Sequence, residues 1–379
     1  MKKQIFIVTL SLLAVLVSSA QVVYSERLVE LAKQGNVNAQ LYLGDFYRQG
    51  TGGVAQDIPQ ALYWYRKAAD QGSVVGQYYL GYIPFVGLGG TTKNYEQAVF
   101  WFKKSADQGL SHAQFMLGQC YEQGWGTAKD TSQAFFWYQK AGNQNQLDAL
   151  LHLGQFYENG ECVQQDYHKA VEYYRKSYDA GNEIAAFCLG KCYYNGIGVT
   201  KDYATAASWY RKSAEKGFVF GQMLLGECYE KGEGVPQDFT QAMEWYRRVA
   251  DSNTATSVVA QYYIGRLYLE GKGVDKDYKT AYEWFSKCND LPMTITSLGE
   301  MYFHGYYVEL NYDKAFELFS EAAMAEKFPS GDAMNMLSTC YRFGYGTAQD
   351  LEKAEYWLKK AQETGSDDAK NLIKLIMGM

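Results

Sequence analysis

The chain has only four histidines in 379 residues, at positions 112, 152, 168 and 304. None falls into H-E-x-x-H or a comparable pair, so a metal centre has no ligand set to start from. Cations are also too few for a nucleic-acid surface, since 36 Lys and Arg are outnumbered by 42 Asp and Glu, for a net charge of −6. Binding a phosphate backbone needs clustered Lys and Arg that displace counterions. The phosphate-loop spacing G-x4-G-K-[ST] is absent, and so is the G-x-S-x-G elbow of serine hydrolases. After residue 17 no stretch is apolar enough to span a bilayer, and no N-x-[ST] acceptor occurs. These gaps leave no catalytic constellation, metal site or cofactor site to name. They turn attention to a protein or peptide as the partner.

Residues 1–20 carry the one long apolar run. Lys2 and Lys3 precede Ile5 to Val17, and Ser18-Ser19-Ala20 puts small residues where a signal peptidase would cut. Loss of this segment removes two lysines and leaves a net charge of about −8. The expectation is a periplasmic or secreted protein with no stable membrane insertion.

What the chain has in abundance is a repeat. In Ala185 to Gly217, the residues Ala185, Leu189 and Tyr193 stand four apart and share one helix face. Gly196 can take positive φ and end that helix, and Asp202 is placed to cap the next one. In that second helix Ala206, Trp209, Tyr210 and Ser213 fall on one face. A marker glycine of the pattern Leu-Gly-x-x-Tyr-x-x-Gly recurs at Gly44, Gly81, Gly118, Gly154, Gly190, Gly226, Gly265 and Gly299, with Ser338 in its place in a ninth copy. Spacing of this kind marks a helical solenoid. Most of the 34 tyrosines fall at repeat positions, where rings pack and hydroxyls reach water.

These residues resemble the Sel-one-like repeat family, relatives of the tetratricopeptide repeats. Gly221 to Ala250 meets the family pattern almost letter for letter, and the resemblance runs from about Glu26 to Gly365. It implies an all-α, right-handed superhelical solenoid of nine helix-turn-helix repeats over residues 21–365. Residues 366–379, with Ala369, Leu372, Ile373 and Ile376 on one face, are expected to form a C-terminal capping helix. The resemblance also implies a non-enzymatic scaffold for protein or peptide binding, in host interaction or periplasmic signalling. Some secreted relatives carry one disulfide per repeat, and that branch suggests an alternative, a weak β-lactam-binding hydrolase. Here the pattern departs: Cys120, Cys192, Cys228 and Cys340 each lie two residues after a marker, as small core side chains would.

Some copies deviate. Pro84 replaces the marker tyrosine of the second copy and is expected to shorten or kink its helix, leaving Ile83 to Val86 partly exposed. The joints at Asp251 to Ser257, Asn289 to Met293 and Ala325 to Gly331 differ in length from the rest.

Positions one, four and five after the marker form a stripe separate from the packing face. In tetratricopeptide-like solenoids that stripe faces a concave groove. The candidate partner-binding residues on it are Arg48, Tyr82, Phe85, Glu122, Glu158, Tyr194, Glu227, Glu230 and Phe303. Its acidic middle would steer a peptide bearing basic and apolar groups, with Phe85, Tyr194 and Phe303 as anchors. A solvated helix face carrying ordinary surface charge would read the same way, and both alternatives stay open at this point.

Overall fold

The computed structural model describes residues 22–364. The expected signal segment, residues 1–20, and the expected capping helix, residues 366–379, lie outside the described residues. Within them are nineteen α-helices, one 3₁₀ turn and no strand. The chain divides between Asp166 and Tyr167 into two compact units.

The first unit contains α1 (Glu26–Lys33), α2 (Val37–Gln49), α3 (Ile58–Asp70), α4 (Val74–Val86), α5 (Tyr95–Asp107), α6 (Ser111–Gln123), α7 (Thr131–Gly142) and α8 (Leu147–Asn159). The second contains α9 (Tyr167–Asp179), α10 (Glu183–Asn195), α11 (Tyr203–Glu215), α12 (Val219–Lys231), α13 (Phe239–Ala250) and α14 (Ser257–Glu270). It continues with α15 (Tyr278–Ser286), α16 (Pro292–His304), α17 (Tyr312–Ala323), α18 (Gly331–Phe343) and α19 (Leu351–Thr364). Each even-numbered helix from α2 is the first helix of a repeat, and the helix after it is the second. In each unit consecutive helices pack on one another, as expected of a helical solenoid.

Local chemistry sets the boundaries. Gly196 ends α10 with φ 73°, and Asp202 accepts from the backbone N–H groups of Ala204 and Thr205 to open α11. Eight residues past the marker a second turn glycine takes positive φ. A Cβ on Gly126, Gly198, Gly234 or Gly346 would run into the backbone carbonyl of Tyr95, Tyr167, Tyr203 or Tyr312. The turn of one repeat therefore rests on the start of the second helix of the repeat before it. Cys162 and Tyr307 stand at this position in two copies and adopt φ 54° and 64°, a conformation that costs a non-glycine residue energy.

The marker glycines have a packing cause. A Cβ on Gly44, Gly81, Gly118, Gly190, Gly226, Gly265 or Gly299 would come within 2.5 to 2.8 Å of a ring atom of Tyr65, Phe102, Tyr138, Tyr210, Tyr246, Phe285 or Phe319. Each ring belongs to the second helix of the same repeat and is fully or almost fully buried. Ser338 fits because the ninth repeat carries Leu358 there in place of a ring. Its hydroxyl donates to the Ala354 carbonyl at 2.7 Å.

The expected effect of Pro84 is corrected. Helix α4 keeps thirteen residues, Val74–Val86, with Pro84 inside it; Ile83 and Pro84 are buried, whereas Phe85 and Val86 are partly exposed as expected. The proline lacks the N–H that would meet the Leu80 carbonyl, but only two helical residues follow it, so a bend there displaces little of the helix. Its carbonyl accepts from Asn94 N–H at 2.9 Å, closing the loop. The irregularity comes after the helix, in the 3₁₀ turn Leu88–Gly90, where Gly89 takes φ 64°. The joint at Asn289 to Met293 is accompanied by a short α15 of nine residues.

All seven cysteines are unbridged, and all but Cys162 are buried. Burial pushes the Cys120 and Cys228 thiols up to about 12 and those of Cys288 and Cys340 to about 11, which keeps them protonated and inert.

Candidate protein-interaction face

The position four past the marker meets the second helix of its own repeat. Arg48 is buried; its guanidinium donates to Asp45 at 2.6 Å and to the Tyr65 hydroxyl at 3.2 Å, and lies 5.0 Å over the Tyr79 ring. Burial opposes its charge, but Tyr65 and Asp45 outweigh that and raise its pKa. Glu122 accepts from the Tyr138 hydroxyl at 2.5 Å and lies 3.3 Å from His152 Nδ1. Burial raises the Glu122 carboxyl, yet His152 and Tyr138 reverse the balance and its pKa is lowered. Glu230, also buried, accepts from the Tyr246 hydroxyl at 2.7 Å and pairs with Arg266.

Where the second helix offers phenylalanine, the same position is apolar. Phe85 packs 5.8 Å from Phe102 and 5.4 Å from Trp125. Phe303 lies 6.3 Å from Phe319 and 5.1 Å from Tyr312. Leu269 faces the remaining case, Phe285. The alternation of charge and ring along the stripe therefore has a cause inside the repeat. A charged or polar side chain accompanies a tyrosine hydroxyl, and an apolar one accompanies a phenyl ring.

The remaining candidates are placed as follows. Tyr82 is buried and stacked on Tyr78 at 5.8 Å. Tyr194 donates to Glu233 at 2.6 Å. Glu158 is half-buried at the end of α8. Glu227 is buried and ion-paired with Lys231 at 3.1 Å. The structure brings together Glu227 and Glu230 on α12, and Glu230 with Arg266 on α14, whereas Arg48, Tyr82, Phe85 and Glu122 sit in the first unit.

Sequence reading missed part of the first-helix face in the second unit. Glu300 on α16 is half-buried, and no hydrogen bond or ion pair meets its carboxylate among the described residues. Burial, with Asp332 and Glu270 adding repulsion, raises its pKa to about 7. Asp332 is itself raised by burial. Arg266 is 3.3 Å from Glu270. On α10 and α12 the face turns apolar: Phe187, Phe218 and Phe220 cluster with ring separations of 5.3 to 6.0 Å. The missed residues lie one after the marker (Glu300) and six before it (Phe220, Asp332). The spacing was readable, but which of these side chains lacks a partner was not.

No described helix is long and apolar enough to cross a membrane, and no metal-binding group of His, Cys, Asp and Glu occurs among the described residues.

Successive helix pairs, most of them wedging a ring against a marker glycine, define a helical-repeat scaffold. The Sel1 repeat matches nine times, at residues 37–73, 74–110, 111–146, 147–182, 184–218, 219–253, 258–287, 295–326 and 331–363, and the chain belongs to the Sel1 repeat family. Among solved structures it is similar to c5321, a protective antigen of uropathogenic Escherichia coli with this fold. The match has 28% identity and a TM-score of 0.57, over 94% of this chain and 91% of that one. It is also similar to a Sel1 repeat protein from Oxalobacter formigenes, with 30% identity and a TM-score of 0.57, over 68% of this chain and 99% of that one. Comparison with curated proteins gives no match. Proteins of this family generally serve as protein-interaction scaffolds.

Proposed function

We propose that this chain is an exported, non-enzymatic scaffold whose first-helix face in the second unit holds a peptide segment bearing basic and apolar side chains. The observation that carries the proposal is Glu300, a half-buried carboxylate that meets no hydrogen bond or ion pair among the described residues and whose pKa is raised to about 7 by burial, with Asp332 and Glu270 adding repulsion. A partner lysine or arginine set there would supply the missing charge. Half-buried Phe220 on α12 offers an apolar contact on the first-helix face. Export rests on the character of residues 1–20, and similarity to an antigen of a pathogenic strain supports a role in host contact. Buried, protonated thiols argue against the β-lactam alternative, because none of them is poised as a nucleophile.

The test is fluorescence anisotropy with a labelled peptide alternating Lys with Leu and Phe. Binding should tighten as pH rises through about 7, as Glu300 ionises. Glu300→Gln with Asp332→Asn should weaken it about tenfold at pH 8 and flatten the pH profile. Equal affinity for wild type and variant at pH 8 would remove this face from consideration.

A further inference from the structure

The outward position of the second helix, two residues before its buried ring, is polar in repeats four to eight: Glu172, Ser208, Glu244, Glu283 and Glu317. The fold therefore places no demand for an aromatic side chain there. In repeats one to three the same position holds Tyr63, Phe100 and Phe136, which are 50%, 53% and 43% exposed. Each ring stands edge-on to the neighbouring Trp64, Trp101 or Trp137, at 4.9 to 5.2 Å. Tyr356 repeats the feature in the ninth copy, but only repeats one to three place it on successive helices, α3, α5 and α7.

A cation accompanies every ring. Lys67, Lys104 and Lys140 lie 5.6, 4.6 and 4.5 Å over Tyr63, Phe100 and Phe136. Arg66 lies 4.5 Å over Trp101, bridging from one repeat to the next. In repeat four the outward Glu172 takes the equivalent Lys176 as an ion pair at 2.6 Å. With an aromatic residue in place of that glutamate, Lys67, Lys104 and Lys140 have no carboxylate. Among the described residues neither they nor Arg66 and Lys103 form an ion pair.

We infer that the outward face of α3, α5 and α7 is a separate docking surface for an acidic protein segment, one in which Asp or Glu alternate with apolar side chains. The carboxylates would take the lysines, and the apolar side chains would take the ring faces the lysines now cover. Charge complementarity selects this occupant over an anionic bilayer. Asp70, Glu96 and Asp107 are exposed in the same rows as Tyr63 and Phe100, and a continuous plane of lipid phosphate would meet them as well as the lysines. A polypeptide can set its carboxylates over the lysines and leave those three acids in water.

The probe is a fluorescein-labelled peptide alternating Glu with Leu and Phe, titrated with the full chain at two salt concentrations. Its Lys-for-Glu analogue and phosphatidylglycerol vesicles are run in parallel. One variant combines Tyr63→Glu, Phe100→Glu and Phe136→Glu, placing there the residue found in repeats four, six, seven and eight. A second combines Lys67→Gln, Lys104→Gln and Lys140→Gln and leaves the rings untouched. The acidic peptide should bind wild type in a salt-sensitive manner and lose about tenfold or more in each variant. Glu300→Gln should leave this binding unchanged, which separates it from the first-helix face. Unchanged binding in both variants would overturn the inference. So would binding of the vesicles in place of the acidic peptide.

Discussion

The sixth and second repeats join their two helices at the same backbone position by opposite chemistry. In the sixth, the buried Glu230 carboxylate receives the Tyr246 hydroxyl and the Arg266 guanidinium. In the second, Phe85 lies against Phe102, and Tyr95 and Trp125 close around it. The backbone accepts either, and in both repeats the two members of the pair are of one kind. A hydroxyl left facing a phenyl ring, or a carboxylate left facing no donor, would carry the full cost of desolvation. The difference teaches that one repeat residue cannot be assigned a role until its partner on the other helix is known.

The largest effect should come from the glycine that both repeats share. Gly226→Ser alone should cost about 3 kcal/mol, because the added Cβ would sit 2.6 Å from Cε1 of Tyr246. Pairing it with Tyr246→Leu, the combination of repeat nine, should show a favourable coupling. Ser338→Ala should cost only about 1 kcal/mol, the hydroxyl's bond to Ala354. Urea unfolding gives all three values, and equal costs at the two marker positions would break the ring-against-glycine account.

Converting one pair type into the other comes next. Glu122→Leu should cost about 2 kcal/mol by stranding the Tyr138 hydroxyl. Adding Tyr138→Phe should return most of it, since the pair then matches Leu269 and Phe285. A double-mutant cycle should give a coupling of about 1 to 2 kcal/mol, and additivity would show that the two side chains do not sense each other.

The smallest effect is in pH, where Glu122 and Glu300 run in opposite directions. The folded pKa of Glu122 is lowered, so its contribution is present above its ordinary pKa and fades as pH falls through the lowered value. The folded pKa of Glu300 is raised from 4.5 to about 7, so the folded state binds the extra proton and stability declines as pH climbs between those values. Discounted for its partial exposure, the decline is about 1 kcal/mol. Glu300→Gln should remove it, making the variant the more stable at pH 8. A variant with the wild-type slope would place the raised group elsewhere.

Much of the fold could be read from residue spacing because its determinants are local. Glycine at a helix end, Asp or Asn at the next helix start and a small residue at the marker act within one repeat, and nine copies displayed them. The candidate site was less legible. Spacing grouped Arg48, Glu122 and Glu230 on one stripe, but their hydrogen-bond partners lie 16 or 17 residues onward, on another helix. Pro84 was misjudged for a related reason: its position in the last turn, not its presence in a helix, sets the cost.

The sequence by itself determined the repeat, its family and the places where helices begin and end, because these depend on backbone conformation and on neighbours within a few residues. Only the tertiary structure decided which charges are satisfied and which are left over. Glu230 is neutralised by Arg266 from the next repeat, Glu300 is raised by burial and by the acids Asp332 and Glu270, and Lys104 lies on a ring where Lys176 has a glutamate. Electrostatic satisfaction is a property of atoms brought within a few ångströms, and packing brings together residues that the chain keeps far apart.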